Sequence, residues 1–257
     1  MKNKAFSLTE LSVSLVIIGL ILGGITSINY VRKRYNLLAI MDDFNKLNNA
    51  YLSFKDIYQA IPGDMASYSV PTFGTGVKYG NGNNLIDNLT NSAGDYEGVI
   101  ALQHLASANL ITGNFSGTWN ISQNNLPYYP SKSYSYNGYY FGSTSTNPGV
   151  FTITAPTTNS KNDSIVIYSK IIDSNNDGVI APSTEARLNV ITPMDAYKLD
   201  LKFDDGYPML GNIIASGGTD VVAVCADYIG GTIAYTYKTS AIGVGCLLAL
   251  ILDRKSN

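Results

Sequence analysis

The first 58 positions carry two successive hydrophobic patterns. From Leu11 to Val31 no side chain is charged. That run of about 21 residues makes a helix roughly 31 Å long, enough to cross a bilayer. Beyond it the pattern becomes one-sided. Leu37, Ile40, Phe44, Leu47, Tyr51, Phe54 and Tyr58 recur at spacings of three and four, and Asp42, Asp43, Lys46, Asn49 and Lys55 fall elsewhere on the helix surface. Such spacing suits a coiled-coil stalk or a seam packed on a globular head. The seam is only about three heptads long and ends in aromatics, which favours the head. Pro62-Gly63 stops the pattern. The expectation is one helix from about Phe6 to Tyr58, with 6–31 as its transmembrane half, 32–58 as its amphipathic half, and a head over 59–257.

Downstream, 62–92 reads as loop, with Asp64 capping a turn and "GNGNN" at 80–84 a flexible stretch. Asp95 to Ile111 predicts a second helix with Tyr96, Ile100, Leu102, Leu105 and Leu110 turned inward. The Tyr-rich stretch at 114–148 fits a hairpin with rings alternating across a sheet, or a binding surface of rigid amphipathic rings. After it the period becomes two. Strands are expected at Val150–Thr154, Ser164–Ile171, Arg187–Ile191, Met209–Ala215, Val221–Ala226, Thr232–Tyr237 and Cys246–Leu252. Thr192 and Pro193 open a short helix through Leu201, as N-cap and first-turn proline. "AIGVGCLLALIL" is too short to span a membrane and reads as a core strand. The fold class is α+β: a long N-terminal helix packed on a head with an antiparallel sheet.

Charge and composition narrow the function. A net charge of −2 gives no basic face, which argues against a nucleic-acid partner. One His and two Cys leave little for metal clusters or His-based catalysis, and His104 on a half-buried helix reads as structural. There is no Walker loop, no dinucleotide-binding glycine pattern and no Ser-His-Asp spacing, so the chain does not read as an enzyme. Asp173, Asn175 and Asp177 stand in a D-x-N-x-D-G run whose hard oxygens at alternating positions suit Ca²⁺. The twelfth position is Thr184, with Glu185 one residue late, so an Asx/Gly turn is the alternative. Asp204-Asp205-Gly206 reads as a turn, the alternative being that it contributes a carboxylate ligand. Cys225 and Cys246 would close a loop of about 20 residues, worth roughly 3 kcal/mol as a disulfide. Two buried thiols are the other option. A disulfide places the head outside the cytosol; charge alone does not orient the span, because Lys2 and Lys4 before it nearly balance Arg32, Lys33 and Arg34 after it.

Glu10 is the one charged residue between Lys4 and Arg32. A carboxylate in a membrane costs about 2.5–3.5 kcal/mol at the centre and less near an end. Either it is hydrated at the interface or it has a cation. Cutting after Ala5 would give Phe6 a free α-amine and make Glu10 the fifth residue, able to neutralise the amine of a neighbouring subunit.

A short basic leader, a small residue, then Phe6-Ser7-Leu8-Thr9-Glu10-Leu11 and an apolar helix resembles the N-terminal signal of type IV pilins and pseudopilins. The resemblance implies a pilin-like fold, removal of 1–5 by a prepilin peptidase, methylation of the Phe6 amine and an assembly role for Glu10. It implies a single-pass precursor in a bacterial inner membrane, in contact with lipid, then a periplasmic or cell-surface filament of identical or related pilin subunits built on an inner-membrane assembly platform. The Cys pair likewise resembles the disulfide-bounded C-terminal region of type IV pilins, which many pseudopilins lack. "PGDM", "EGVIALQHLASANLI" and "DAYKLDLKFDDGYP" resemble a subgroup of pilin-like proteins. Two departures stand out: Ala5 where the family usually has Gly, and no proline in the apolar stretch, where Gly23-Gly24 offers a weak point instead. A major or minor pilin is the first expectation and a type II secretion pseudopilin the second. A membrane-anchored adhesin is the alternative from another class.

Overall fold

The computed structural model describes residues 7–67, 73–86, 96–118, 128–133, 137–143, 164–170, 189–217, 225–229 and 234–252, less the side chains at 25–27, 29, 164–165, 169–170, 228–229 and 234–235. The expected strand at Val150–Thr154 and most of that at Val221–Ala226 lie outside these residues, whereas at Arg187–Ile191 the described residues 189–191 form no strand and Ile191 makes only an isolated antiparallel bridge with Cys246. Helix α1 runs from Leu8 to Tyr58 and ends at Gln59, whose left-handed backbone (φ 51°) turns the chain ahead of Pro62. Among the described residues no helix is long and apolar enough to cross a membrane.

The second half of α1 is a core element. Ile40, Phe44, Leu47 and Phe54 are wholly buried and Tyr51 nearly so, while Leu37 and Tyr58 pack at the margins. The seam meets a five-stranded antiparallel sheet in the order β1-β2-β3-β7-β4, made of β1 Tyr129–Pro130, β2 Asn137–Ser143, β3 Ser164–Lys170, β7 Leu247–Ile251 and β4 Ile213–Ser216. Alternation divides the strand side chains between two cores. Tyr139, Phe141, Val166, Tyr168, Leu248 and Leu250 join the seam of α1. Tyr140, Ile167, Leu247, Ala249 and Ile251 form a second cluster on the other face, with Val99 and Met209. A strand buried on both faces carries a continuous apolar run, which is why "LLALI" forms the interior strand β7 despite its helix-favouring leucines. The tyrosines of β2 are therefore packing residues, as the hairpin reading expects.

Helix α2, Glu97–Ser107, lies against β2. Val99, Ile100, Leu102 and Leu105 are wholly buried, with Tyr96 and Leu110 partly so. His104 is wholly buried and stacks on Phe54 and Phe73 at 6.0 and 5.7 Å. Its Nδ1 accepts from the Gly63 N–H at 2.9 Å, so Nε2 carries the proton and donates to the Lys78 carbonyl at 2.9 Å. Burial pushes its pKa down to about 4, against the Lys78 contact. It is a neutral structural group at pH 7.

Two surface expectations are corrected. Asp43 is wholly buried, because β1–β2 closes over it: its Oδ2 accepts from the Lys132 N–H at 3.4 Å, and the Lys132 ammonium lies 3.8 Å from Oδ1. Burial raises its pKa, with Lys132 opposing. The "GNGNN" stretch is organised around Asp64, whose carboxylate accepts from the N–H groups of Gly82, Asn83 and Asn84 at 2.7, 2.9 and 2.7 Å.

α3, Pro193–Phe203, starts where expected, with Thr192 Oγ1 accepting from the Asp195 N–H at 3.2 Å. A hairpin of β5 Ala226–Ile229 and β6 Ala234–Tyr237 forms a separate two-stranded sheet. Cys225 and Cys246, both buried, form a disulfide with Cα atoms 4.9 Å apart, tying the entry to β5 to the entry to β7.

The α2–β2 contact depends on the absence of a side chain. A Cβ at Gly98 would overlap the carbonyl oxygen of Phe141, a backbone atom that cannot rotate away. Gly98→Ala is expected to destabilise by about 1–3 kcal/mol, in place of the gain of about 0.5–1 kcal/mol usual when a helical glycine is replaced. Denaturant unfolding of the full chain in detergent checks this, and a neutral or stabilising substitution contradicts it.

Candidate functional site

Among the described residues nothing buries the first half of α1. From Leu8 to Gly24 every side chain is exposed, Ile18 at 52% and Leu20 at 72%. The apolar residues occupy all sides of the helix. Isolated exposed apolar residues are ordinary, but a continuous surface of this size marks a contact with lipid or protein. A Cβ at Gly19, Gly23 or Gly24 would meet nothing within 4 Å. Glycine costs about 1 kcal/mol relative to alanine in a helix, and among the described residues no close approach selects it at these positions.

Ser7 is the N-cap of α1 and Glu10 stands at N3, where the Glu10 carboxylate accepts from the Ser7 N–H at 3.0 Å. Ser12 and Ser14 return their hydroxyls to the carbonyls of Thr9 and Glu10 at 2.9 and 2.7 Å. Glu10 thus has a local role that sequence reasoning missed. It satisfies one of the four orphan N–H groups of the helix start and sits favourably at the positive end of the helix dipole. The Ser7-x-x-Glu10 spacing was the available signal. Ala5 and Phe6, the expected processing residues, lie outside the described residues. So do Asp173, Asn175 and Asp177, the candidate calcium ligands.

Among the described residues, one other group of carboxylates comes together. Asp200, Asp204 and Asp205 place ligand atoms within 4.8 Å of one another. Each is already engaged. Asp200 accepts from the Gly206 N–H at 3.1 Å and the Tyr237 hydroxyl at 2.6 Å. Asp204 caps the end of α3 and receives the N–H groups of Asn212 and Ile213. Asp205 accepts from the Tyr207 N–H at 2.8 Å. The cluster fastens the end of α3 to the start of β4 and to β6, and Asp204-Asp205-Gly206 forms the bend after α3 and brings two of its carboxylates to the group. Asp200 gives no sequence signal, because an acid on an amphipathic helix is ordinary; Tyr237, 37 residues on, gives it its environment.

No family model, no curated protein and no solved structure matches this chain.

The cluster has a pH signature. Burial pushes the Asp200 carboxyl up to about 7, with repulsion from Asp205 and Asp204 adding and the bonds from Tyr237 and Gly206 opposing. The folded state therefore binds the proton more tightly than the unfolded chain, and stability falls as pH rises from about 4 through about 7. Asp200→Asn removes that ionisation. Its melting temperature relative to the unsubstituted chain is expected to rise between pH 5 and pH 8, and a difference independent of pH contradicts the assignment. Taking the difference separates Asp200 from His104, whose depressed pKa acts with the opposite sign as pH falls below about 6.5.

Proposed function

We propose that this chain is a structural subunit, a major or minor pilin, of a type IV pilus-like filament. It enters the membrane through the first half of α1, is cut ahead of Phe6, and assembles by packing that half against the helices of identical or related subunits. The observation that carries the reading is the division of one 51-residue helix into an exposed apolar half and a half whose seam is buried in a head. A helix that only anchored a head would need the first half to be apolar and nothing more. This one also bears a carboxylate in its first turn and glycines whose Cβ positions are open among the described residues. In a dry bundle of helices an acid is tolerated next to a cation, and the amine of a cut Phe6 on a neighbour is that cation. Open space at Gly19, Gly23 and Gly24 allows helix backbones to approach closely.

The disulfide before β7 favours a pilin over a type II secretion pseudopilin. The adhesin reading drew on the Tyr-rich stretch, and there Tyr139 and Tyr140 are spent on the two cores.

Glu10→Ala separates assembly from fold. The substituted chain is expected to reach the membrane with an unchanged head melting transition and to enter filaments at least about tenfold less well, the equivalent of about 1.4 kcal/mol for an unpaired amine in the bundle. Unchanged incorporation in a shear fraction of surface filaments contradicts the proposal.

A further inference from the structure

A groove of about 480 Å³ opens between α1 and α3 where α1 leaves the head. Its two walls are helix faces at matched spacing, with Tyr30, Lys33, Arg34, Leu37 and Leu38 from α1 opposite Asp195, Lys198, Leu199, Lys202 and Phe203 from α3. Its apolar lining includes the buried Leu199, the half-buried Leu37 and the exposed Leu38. The rim is cationic. Lys33 is held by the buried Asp195 at 2.9 Å, and that carboxylate is also engaged by the Thr192 hydroxyl at 2.7 Å. Arg34 lies over the Tyr30 ring at 4.9 Å and Lys202 over Phe203 at 5.1 Å. Among the described residues no carboxylate pairs with Arg34, Lys198 or Lys202. Three cations thus surround an apolar slot whose one acid is already neutralised.

From these features we infer that the groove binds one anionic phospholipid, its phosphate between Arg34, Lys198 and Lys202 and its acyl chains running back along α1 past Tyr30 toward the uncharged run. The inference rests on the membrane-inserted precursor proposed above. Its position supports it. Arg34 follows the uncharged run by three residues, about 4.5 Å along the helix, and Tyr30 lies within that run. The headgroup layer is about 5–7 Å deep on each side of the hydrocarbon, so Arg34 would sit at phosphate level. Aromatic and basic side chains at this depth are the usual interfacial anchors, and juxtamembrane cations favour anionic over zwitterionic lipid. The site would hold the head against the bilayer until the subunit is extracted.

The test uses the full chain, purified from membranes and exchanged into detergent with equal amounts of phosphatidylglycerol and phosphatidylcholine, with retained lipid counted by native mass spectrometry. The unsubstituted chain is expected to keep one phosphatidylglycerol in preference to phosphatidylcholine by about tenfold or more. Lys198→Gln with Lys202→Gln, both exposed and outside the core, should lose the preference without a shift in melting temperature. Asn45→Glu with Asn49→Glu, exposed on α1 beyond the groove, changes net charge equally and should keep it. Equal retention of the two lipids by a membrane-associated chain overturns the site alone, as does loss of preference in the Asn45/Asn49 control. Full displacement of the lipid by millimolar inorganic phosphate also overturns it, as an anion site without lipid character. A chain absent from the membrane fraction overturns both the site and the membrane-inserted precursor it requires.

Discussion

Aromatic rings along one stripe of α1 meet rings from distant parts of the chain. Phe44 meets Tyr139 edge-on at 5.3 Å, Tyr51 stacks on Phe141 at 6.3 Å, and Phe54, Phe73 and His104 stack on one another at 5.7–6.0 Å. Each buried ring contributes roughly 1.5–3 kcal/mol through area alone, and each pair about 0.5–1.5 kcal/mol beyond that. Because β2 supplies Tyr139 and Phe141 to this stripe, the pleat sends Tyr140 to the opposite face. A second core on that face then follows, and β7 must be apolar on both sides. The close approach of α2 at Gly98 and the hydrogen bonds of His104 hold the other flank of the stripe. The architecture of the head is a response to one amphipathic half-helix that must be covered.

Among the described residues the other half of the same helix is left uncovered, and here the physical demand points outward. Its apolar side chains face all directions, a Cβ at Gly19, Gly23 or Gly24 would meet nothing within 4 Å, and its acid accepts a hydrogen bond at the helix start. These features are mutually consistent in an assembly of parallel helices that excludes water. The Glu10–Ser7 bond adds a refinement: a carboxylate that caps its own helix is already positioned at the first turn, where an amine from a neighbour would arrive. Self-capping and pairing with a neighbour can coexist, because a carboxylate accepts several hydrogen bonds.

Much of the fold could be read in the sequence because its elements are strongly periodic. The seam from Leu37 to Tyr58, the N-cap at Thr192 with Pro193, and the short apolar run of β7 each carry a local signal, and each forms within a few residues of its expected bounds. What escaped the sequence is long-range. Asp43 looked like a surface acid because its covering residues, Lys132 and Tyr139, lie about 90 positions away. "GNGNN" looked flexible because the carboxylate that organises it, Asp64, is nearly 20 positions earlier. β1 is only two residues and contains Pro130, which restricts it to an edge. β2 is buried on both faces and so lacks polar alternation. At the candidate site Glu10 was visible as a lone charge in an apolar run, whereas its capping bond and the cationic groove between α1 and α3 depend on geometry.

The central claim is that α1 begins, in the working protein, at a freshly cut Phe6. The mass of the N-terminal peptide from chain recovered from cells that contain a prepilin peptidase tests it most directly. The account predicts a peptide starting at Phe6 and heavier by one methyl group. An N-terminus still carrying Met1 to Ala5 in that setting contradicts it.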